Sequence, residues 1–300
     1  MIEEEPGDTG SPLSRRQLGR YLREAREAAG MTLQQAANLM EWGKTTVQNL
    51  ETARNQKVHW RNVRDLCEIY GCNEDRTAAL IDLAKQIPTK SWWHAYGDLV
   101  PATFNLYLDL EAATQQLTIF QPLIIPGLLQ TADYARTLDR RFFSHETEEE
   151  LNRRIQLRLQ RQHILTRQRK PAKLRAVIHE SALRTVVGNR RIMDVQVRHI
   201  ADMSTRPNVE IRVLTYEAGF PVGMPLPAFV IMDFGLDPRG KPVEQTIVFA
   251  ESFTGGMYFE RSTDVQRFQE AFEEVWEASL DVRPSRDLMR EIAREFRSGR

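Results

Sequence analysis

One stretch, Thr32–Glu51 (TLQQAANLMEWGKTTVQNLE), constrains this chain more than any other. It reads as two short helices joined by a tight turn. Thr32 is an N-cap candidate and Gln35 stands three residues on. That is the spacing of a capping box, in which each side chain satisfies the other residue's free backbone N–H. Leu33, Ala36, Ala37 and Met40 then fall on one helical face. A second helix starts near Gly43 or Lys44, with Val47 and Leu50 turned inward. Ala37 sits where the crossing helices approach closely, and a large side chain there would force them apart.

The outward face of the second helix carries the functional clue. An ordinary solvent-facing helix is rich in Glu and Lys. This one offers Lys44, Thr45, Thr46, Gln48 and Asn49, one cation among neutral donors and acceptors. Asn and Gln pair with adenine through two hydrogen bonds, Lys with guanine, and Thr touches the thymine methyl. A helix pair of this kind sets its second helix in the major groove of DNA. The expected base-reading residues are these five. Thr32, Arg54, Lys57, Arg20 and Arg23 are the expected phosphate contacts. The alternative is a helical pair inside an ordinary bundle.

TLQQAANLM and GKTTVQNLE, with the closing Leu-Glu ahead of the basic Arg54, resemble the two helices of the XRE family, regulators related to phage repressors and Cro. The resemblance covers about the first quarter of the chain and implies a DNA-binding transcriptional regulator, expected as a homodimer on double-stranded DNA. One position departs from the family: the turn, usually Gly, holds Glu41. If that residue must be left-handed, Glu costs about 1 kcal/mol more than Gly. Trp42, packed under the turn, is the expected compensation.

At 300 residues the chain is long enough for two domains. Its formal charge is zero, so the overall balance does not point to nucleic acid. The distribution does. Between Arg15 and Arg64 stand ten basic residues and four acidic ones, and phosphate binding depends on local excess. Cys67 and Cys72 lack a CxxC spacing and a completing Cys/His set, so they read as ordinary reduced thiols. The beginning, MIEEEPGDTGSP, is acidic without an apolar signal core, and no apolar run is long enough to span a bilayer. The expectation is a cytoplasmic protein with no membrane partner, whose residues 1–13 form a disordered leader.

A five-helix domain is expected over 14–87. Its first helix, Ser14 to Ala29, buries Leu18 and Leu22, stops at Gly30 and presents Arg15, Arg16, Arg20, Arg23 and Arg26 on its outer face. Residues 88–101 (PTKSWWHAYGDLVP) form an aromatic junction in which Trp92, Trp93 and Tyr96 pack one domain on the next, on a second subunit, or on a ligand. Beyond it, 102–300 reads as an α+β domain with a mixed or antiparallel sheet of about five strands. The strand candidates are Leu117–Ile125, Leu174–Ile178, Val209–Leu214, Ala228–Phe234 and Ile247–Ala250, with Gly256–Phe259 a candidate short edge strand. Expected helices include one with Pro126 in its first turn and a long one over Glu146–Thr166. WWHAYGDLVP, IIPGLLQTADYAR, LRLQRQHILTR, RPNVEIRVL and AGFPVGM resemble the C-terminal domain of many actinobacterial XRE regulators. That resemblance implies a transcriptional regulator, of a kind commonly paired with a small neighbouring protein and sometimes called antitoxin-like. It supplies no ligand.

Other chemistry fares less well. Arg153–Arg175 contains nine basic residues and no acid, which reads as a second DNA contact or as a helix whose basic side is solvated or paired with the acidic cluster Glu146–Glu150 of a neighbour. His179-Glu180-Ser181 follows a strand, but a base and nucleophile this close in sequence rarely face each other, and no G-x-S-x-G elbow is present. No P-loop, dinucleotide fingerprint or metal-ligand set appears, so neither an enzyme nor a cofactor nor a metal is expected. The loop GFPVGMPLP, with Phe220 and Met224, either contacts an effector or peptide or is plain surface.

Overall fold

The computed structural model describes residues 12–53, 58–85, 87, 96, 99, 102–237, 240–253 and 255–298. The chain divides into two units, Met1–His94 and Ala95–Arg300. Trp92, Trp93, Arg54 and Lys57 lie outside the described residues, as does most of the expected leader and junction.

In the first unit the described helices are α1 Pro12–Ala28, α2 Leu33–Leu39, α3 Lys44–Glu51, α4 Trp60–Ile69 and α5 Glu74–Lys85. Helix α1 begins two residues earlier than expected. The predicted capping box at Thr32 is present: Thr32 N–H donates to Gln35 Oε1 at 2.8 Å, and Gln35 N–H donates to Thr32 Oγ1 at 3.2 Å. Helices α1 and α4 stop where a left-handed glycine, Gly30 or Gly71, turns the chain and lets two N–H groups reach back to orphan carbonyls. Helix α2 stops by the same device without a glycine. Glu41 takes φ 56°, its N–H donates to Asn38 O at 3.2 Å, and Trp42 N–H donates to Ala37 O at 2.8 Å. Leu18, Leu22, Ala36, Ala37, Val47 and Leu66 are buried at the centre, and Trp42 packs against them.

The second unit is built on a six-stranded mixed sheet in the order β3-β2-β1-β4-β5-β6. The strands are β1 Gln116–Gln121, β2 Lys173–His179, β3 Val209–Leu214, β4 Phe229–Asp233, β5 Ile247–Ser252 and β6 Gly255–Phe259. The sixth strand is the expected edge segment. β1, β2 and β3 run parallel, with Ile119 opposite Ala176 and Ala176 opposite Ile211. β4 reverses against β1, placing Phe229 beside Phe120, and β5 and β6 continue antiparallel. Helices α6 Ala102–Ala113, α7 Ala132–Phe142, α8 Glu148–Arg161, α9 His163–Thr166, α10 Glu180–Arg184, α11 Arg190–Met203, α12 Ser262–Glu277 and α13 Val282–Ser298 complete the unit. Helix α12 covers one face through Phe272, Val275 and Trp276. The opposite face, including Leu117, Ile119, Ala176 and Ile178, is buried too, as parallel strands require.

Two expected helices differ. Pro126 does not open an α-helix; it precedes a single 3-10 turn, Gly127–Leu129, and α7 begins only after Thr131. Gln130 is buried there, and its amide donates to Ile125 O at 2.7 Å, which fixes the chain before α7 can start. The long helix over 146–166 divides at Gln162, whose side chain donates to Gln130 O at 2.7 Å, so α9 sets off separately. No helix among the described residues is long and apolar enough to cross a membrane.

Candidate nucleic-acid interface

Helix α3 is short, and three inward residues decide its orientation. Val47 is fully buried, Leu50 is nearly so, and Glu51 is buried at its end. With those three inside, 3.6 residues per turn leave Lys44, Thr45, Thr46 and Gln48 exposed and Asn49 half-buried at the edge. None of these five side chains makes a hydrogen bond or ion pair with another described residue. They are donors and acceptors with no partner among the described residues.

The far end of α3 is anchored to α1 in two ways. Gly19 lets the α1 backbone lie directly on the last carbonyls of α3; a Cβ there would stand 2.6 Å from Glu51 O and 2.8 Å from Leu50 O. Arg26 forks onto Glu51, with Nε donating to Oε1 at 2.6 Å and Nη2 to Oε2 at 2.9 Å, while Nη1 donates to Met31 O at 2.7 Å. The hydrogen bond to Glu51 outweighs burial and raises the pKa of the Arg26 guanidinium. This anchor corrects the expectation that Arg26 belongs to an outer basic face. Arg15 is buried as well. Two signals in the sequence pointed this way: a glycine inside a helical pattern commonly marks a close approach, and the Leu-Glu closing α3 needed a cation.

The expected phosphate contacts divide. Arg23 is exposed and bonds Glu27 one turn on at 2.9 Å, a pair water readily replaces. Arg20 lies 3.9 Å from Glu24 and over the Tyr21 ring at 5.2 Å. Thr32 has its hydroxyl taken up by Gln35, at 3.0 Å from Oε1.

The basic run of the second unit divides: Arg167, Arg169, Lys170 and Lys173 are exposed, whereas four arginines are taken up by carboxylates of the same unit. Arg154 forks onto Glu146 at 2.6 and 2.5 Å. Arg158 donates to Asp139 at 2.7 Å and Gln130 at 2.6 Å. Arg161 forks onto Glu111 at 2.7 and 2.8 Å, with its guanidinium 5.4 Å from the ring centroids of both Phe104 and Tyr107. Burial opposes the Arg161 charge, and Glu111 more than offsets it, so its pKa rises. Arg175 bonds Glu273 at 2.7 Å near the surface. These four are paired, but only Arg154 meets the expected acidic cluster, and it does so within its own chain; the other three take Asp139, Glu111 and Glu273.

The remaining candidates lie elsewhere in the second unit. Tyr96 meets Arg153, whose guanidinium lies 5.9 Å from its ring centroid. Phe220 and Met224 line a cleft at one sheet edge, together with His179 and Ser181. Contrary to the expectation for adjacent residues, His179 and Ser181 do face each other, with Nδ1 and Oγ 2.8 Å apart. They do so as a helix start: His179 Nδ1 accepts the Ser181 N–H at 3.1 Å and caps α10.

Comparison with known families agrees with this division. Residues 17–80 match a helix-turn-helix domain, a span that contains α2 and α3. Residues 104–291 match a domain of unknown function, DUF5753. Searches of curated proteins and of solved structures each gave no match. Because the second match spans more than half of the 300 residues, the chain belongs to the DUF5753 family, with a helix-turn-helix domain preceding that domain in sequence.

Proposed function

We propose that this chain is a sequence-specific transcriptional regulator of the XRE type, acting in the cytoplasm as a homodimer on double-stranded DNA. One observation carries the reading: five exposed or half-exposed polar side chains of α3 have no partner among the described residues, on a helix held by the Gly19 contact and the Arg26–Glu51 fork. Lys44, Thr45, Thr46, Gln48 and Asn49 read bases, and Arg54, Lys57, Arg20 and Arg23 hold phosphates. The DUF5753 unit receives the signal, and the chain is not itself an enzyme. Genome-wide capture of DNA fragments on the purified protein tests this. The expected result is a shared palindromic site with half-sites roughly 34 Å apart. Recovery of fragments with no common sequence would contradict it.

A second reading is favoured by the exposed apolar side chains Leu123, Phe220 and Met224. In it, the chain is antitoxin-like: it sequesters a small protein encoded next to it, and DNA binding serves autoregulation. Co-purification with the product of the adjacent gene, lost on Phe220→Asp, would favour that role.

A further inference from the structure

The cleft that holds Phe220 and Met224 owes its position to the sheet topology. β1 has a parallel neighbour on one side and an antiparallel one on the other. The chain leaving β3 must therefore return across the carboxyl ends of β2 and β1 to begin β4. That return, residues 215–228, crosses three strand spacings, roughly 14 Å at the usual separation. Gly219 (φ 59°) and Gly223 (φ 75°) turn it into a roof. Beneath it lies a cleft of about 280 Å³, floored by Phe120 and Leu214 near the ends of β1 and β3. In open α/β sheets this edge, where the strand order reverses, is where ligands bind.

The lining is apolar and contains no Asp, Glu, Lys or Arg. Its polar groups are His179 and Ser181. Ser181 Oγ donates to Pro122 O at 2.5 Å, and Ser181 N–H is taken by His179 Nδ1. Nδ1 also lies 2.8 Å from Ser181 Oγ; in the tautomer whose Nδ1 accepts the Ser181 N–H, the ring carries its proton on Nε2. Burial lowers the His179 pKa, which favours the neutral ring. The Tyr216 ring meets the imidazole edge-on with centroids 5.3 Å apart, and Nε2 has no hydrogen-bond partner among the described residues. At the mouth, Leu123, Phe220 and Met224 are 70, 67 and 60 % exposed, a local group of apolar side chains that favours being covered.

We propose that this cleft binds a small, uncharged, mostly apolar molecule with one hydrogen-bond acceptor, a carbonyl or ether oxygen, that takes the Nε2–H of His179. An ionised ligand is disfavoured because the lining offers it no counter-charge. The volume lies just below the usual range of ligand sites, roughly 300 to 1,000 Å³, which suits only a small ligand. A bicyclic aromatic ketone is of suitable size; a peptide is not. That such a ligand is the effector rests on the regulator reading above, whereas the site itself does not.

The test uses the full chain without DNA. Prodan, a neutral naphthyl ketone whose emission moves to the blue in apolar surroundings, is the reporter; 2-acetylnaphthalene and its carbonyl-free analogue 2-ethylnaphthalene are competitors. Saturable prodan binding is expected. Val222→Trp, which fills the cleft, and Phe220→Asp, at the exposed mouth, should each weaken it about tenfold, the equivalent of ~1.4 kcal/mol. His179→Asn retains a capping side chain. It should weaken 2-acetylnaphthalene about three- to tenfold, as loss of one neutral hydrogen bond does, and leave 2-ethylnaphthalene unchanged. Far-UV circular dichroism identifies any variant that has not folded, and Phe220→Asp then decides in place of Val222→Trp. No saturable binding by the folded wild type, or binding unaffected by both cleft variants, overturns the site. Equal losses of both competitors in His179→Asn overturn the acceptor requirement. DNA binding is titrated separately: probe binding lost with DNA binding intact removes only the site, and the reverse removes only the regulator.

Discussion

The outer face of α3 and the run Arg153–Arg175 invert what charge alone suggests. The first has a single cation, Lys44, beside four neutral polar side chains, and none of the five bonds another described residue. The second has nine cations, and Arg154, Arg158, Arg161 and Arg175 each hold a carboxylate of the same unit. Cationic side chains become structural when a buried carboxylate demands them, because an unpaired ion is costly away from water. A surface ready for a partner is recognised by groups with nothing else to do. Helix α1 shows the same contrast within one turn: Arg26 is buried on Glu51, and Arg23 lies outside on Glu27.

The strongest way to break this comparison is Arg161→Leu. It leaves Glu111 buried without its partner and is expected to destabilise the second unit by about 3–5 kcal/mol, read from denaturant unfolding. Glu111→Leu combined with Arg161→Leu should recover most of the loss. A wild-type midpoint for the single variant would place this arginine among the solvated ones. Next in size is the pair on α1. Arg26→Ala should cost the helix-turn-helix unit about 3 kcal/mol and weaken all DNA through loss of the fold. Arg23→Ala should leave the unfolding midpoint unchanged. Similar effects from the two would erase the distinction between buried and surface cations. The smallest effect concerns the turn that aims α3. Glu41 holds a left-handed conformation, so Glu41→Gly is expected to raise stability by about 1 kcal/mol. Destabilisation instead would mean that its side chain contributes more than its backbone costs.

Much of this was legible in order. The capping box at Thr32, the glycine stops at Gly30 and Gly71, the inward Val47 and Leu50, and the outward α3 face all depend on residues within one or two turns of each other. Local chemistry fixes them whatever surrounds them. The β-branched runs marked the strands, though their parallel half depends on crossover connections that strand patterning does not encode. What was not legible depends on distant partners. Arg26 meets Glu51 from another helix, Arg161 meets Glu111 across fifty positions, and Gln162 divides a continuous helical pattern by reaching Gln130. The second capping box, Thr147 with Glu150, was local and present in the sequence as Thr-x-x-Glu, but the acidic run around it masked the motif. The return loop roofing the cleft became meaningful only once the strand order placed it over the carboxyl ends of β1 and β2.

The central claim is that the outward residues of α3 read bases. It is tested most directly by titrating wild type and Asn49→Ala against the captured DNA site and a random duplex of equal length, at several salt concentrations. The account predicts that Asn49→Ala loses about 1–3 kcal/mol on the captured site and almost nothing on random DNA, with the salt slope unchanged. An equal loss on both duplexes would contradict base reading by this helix.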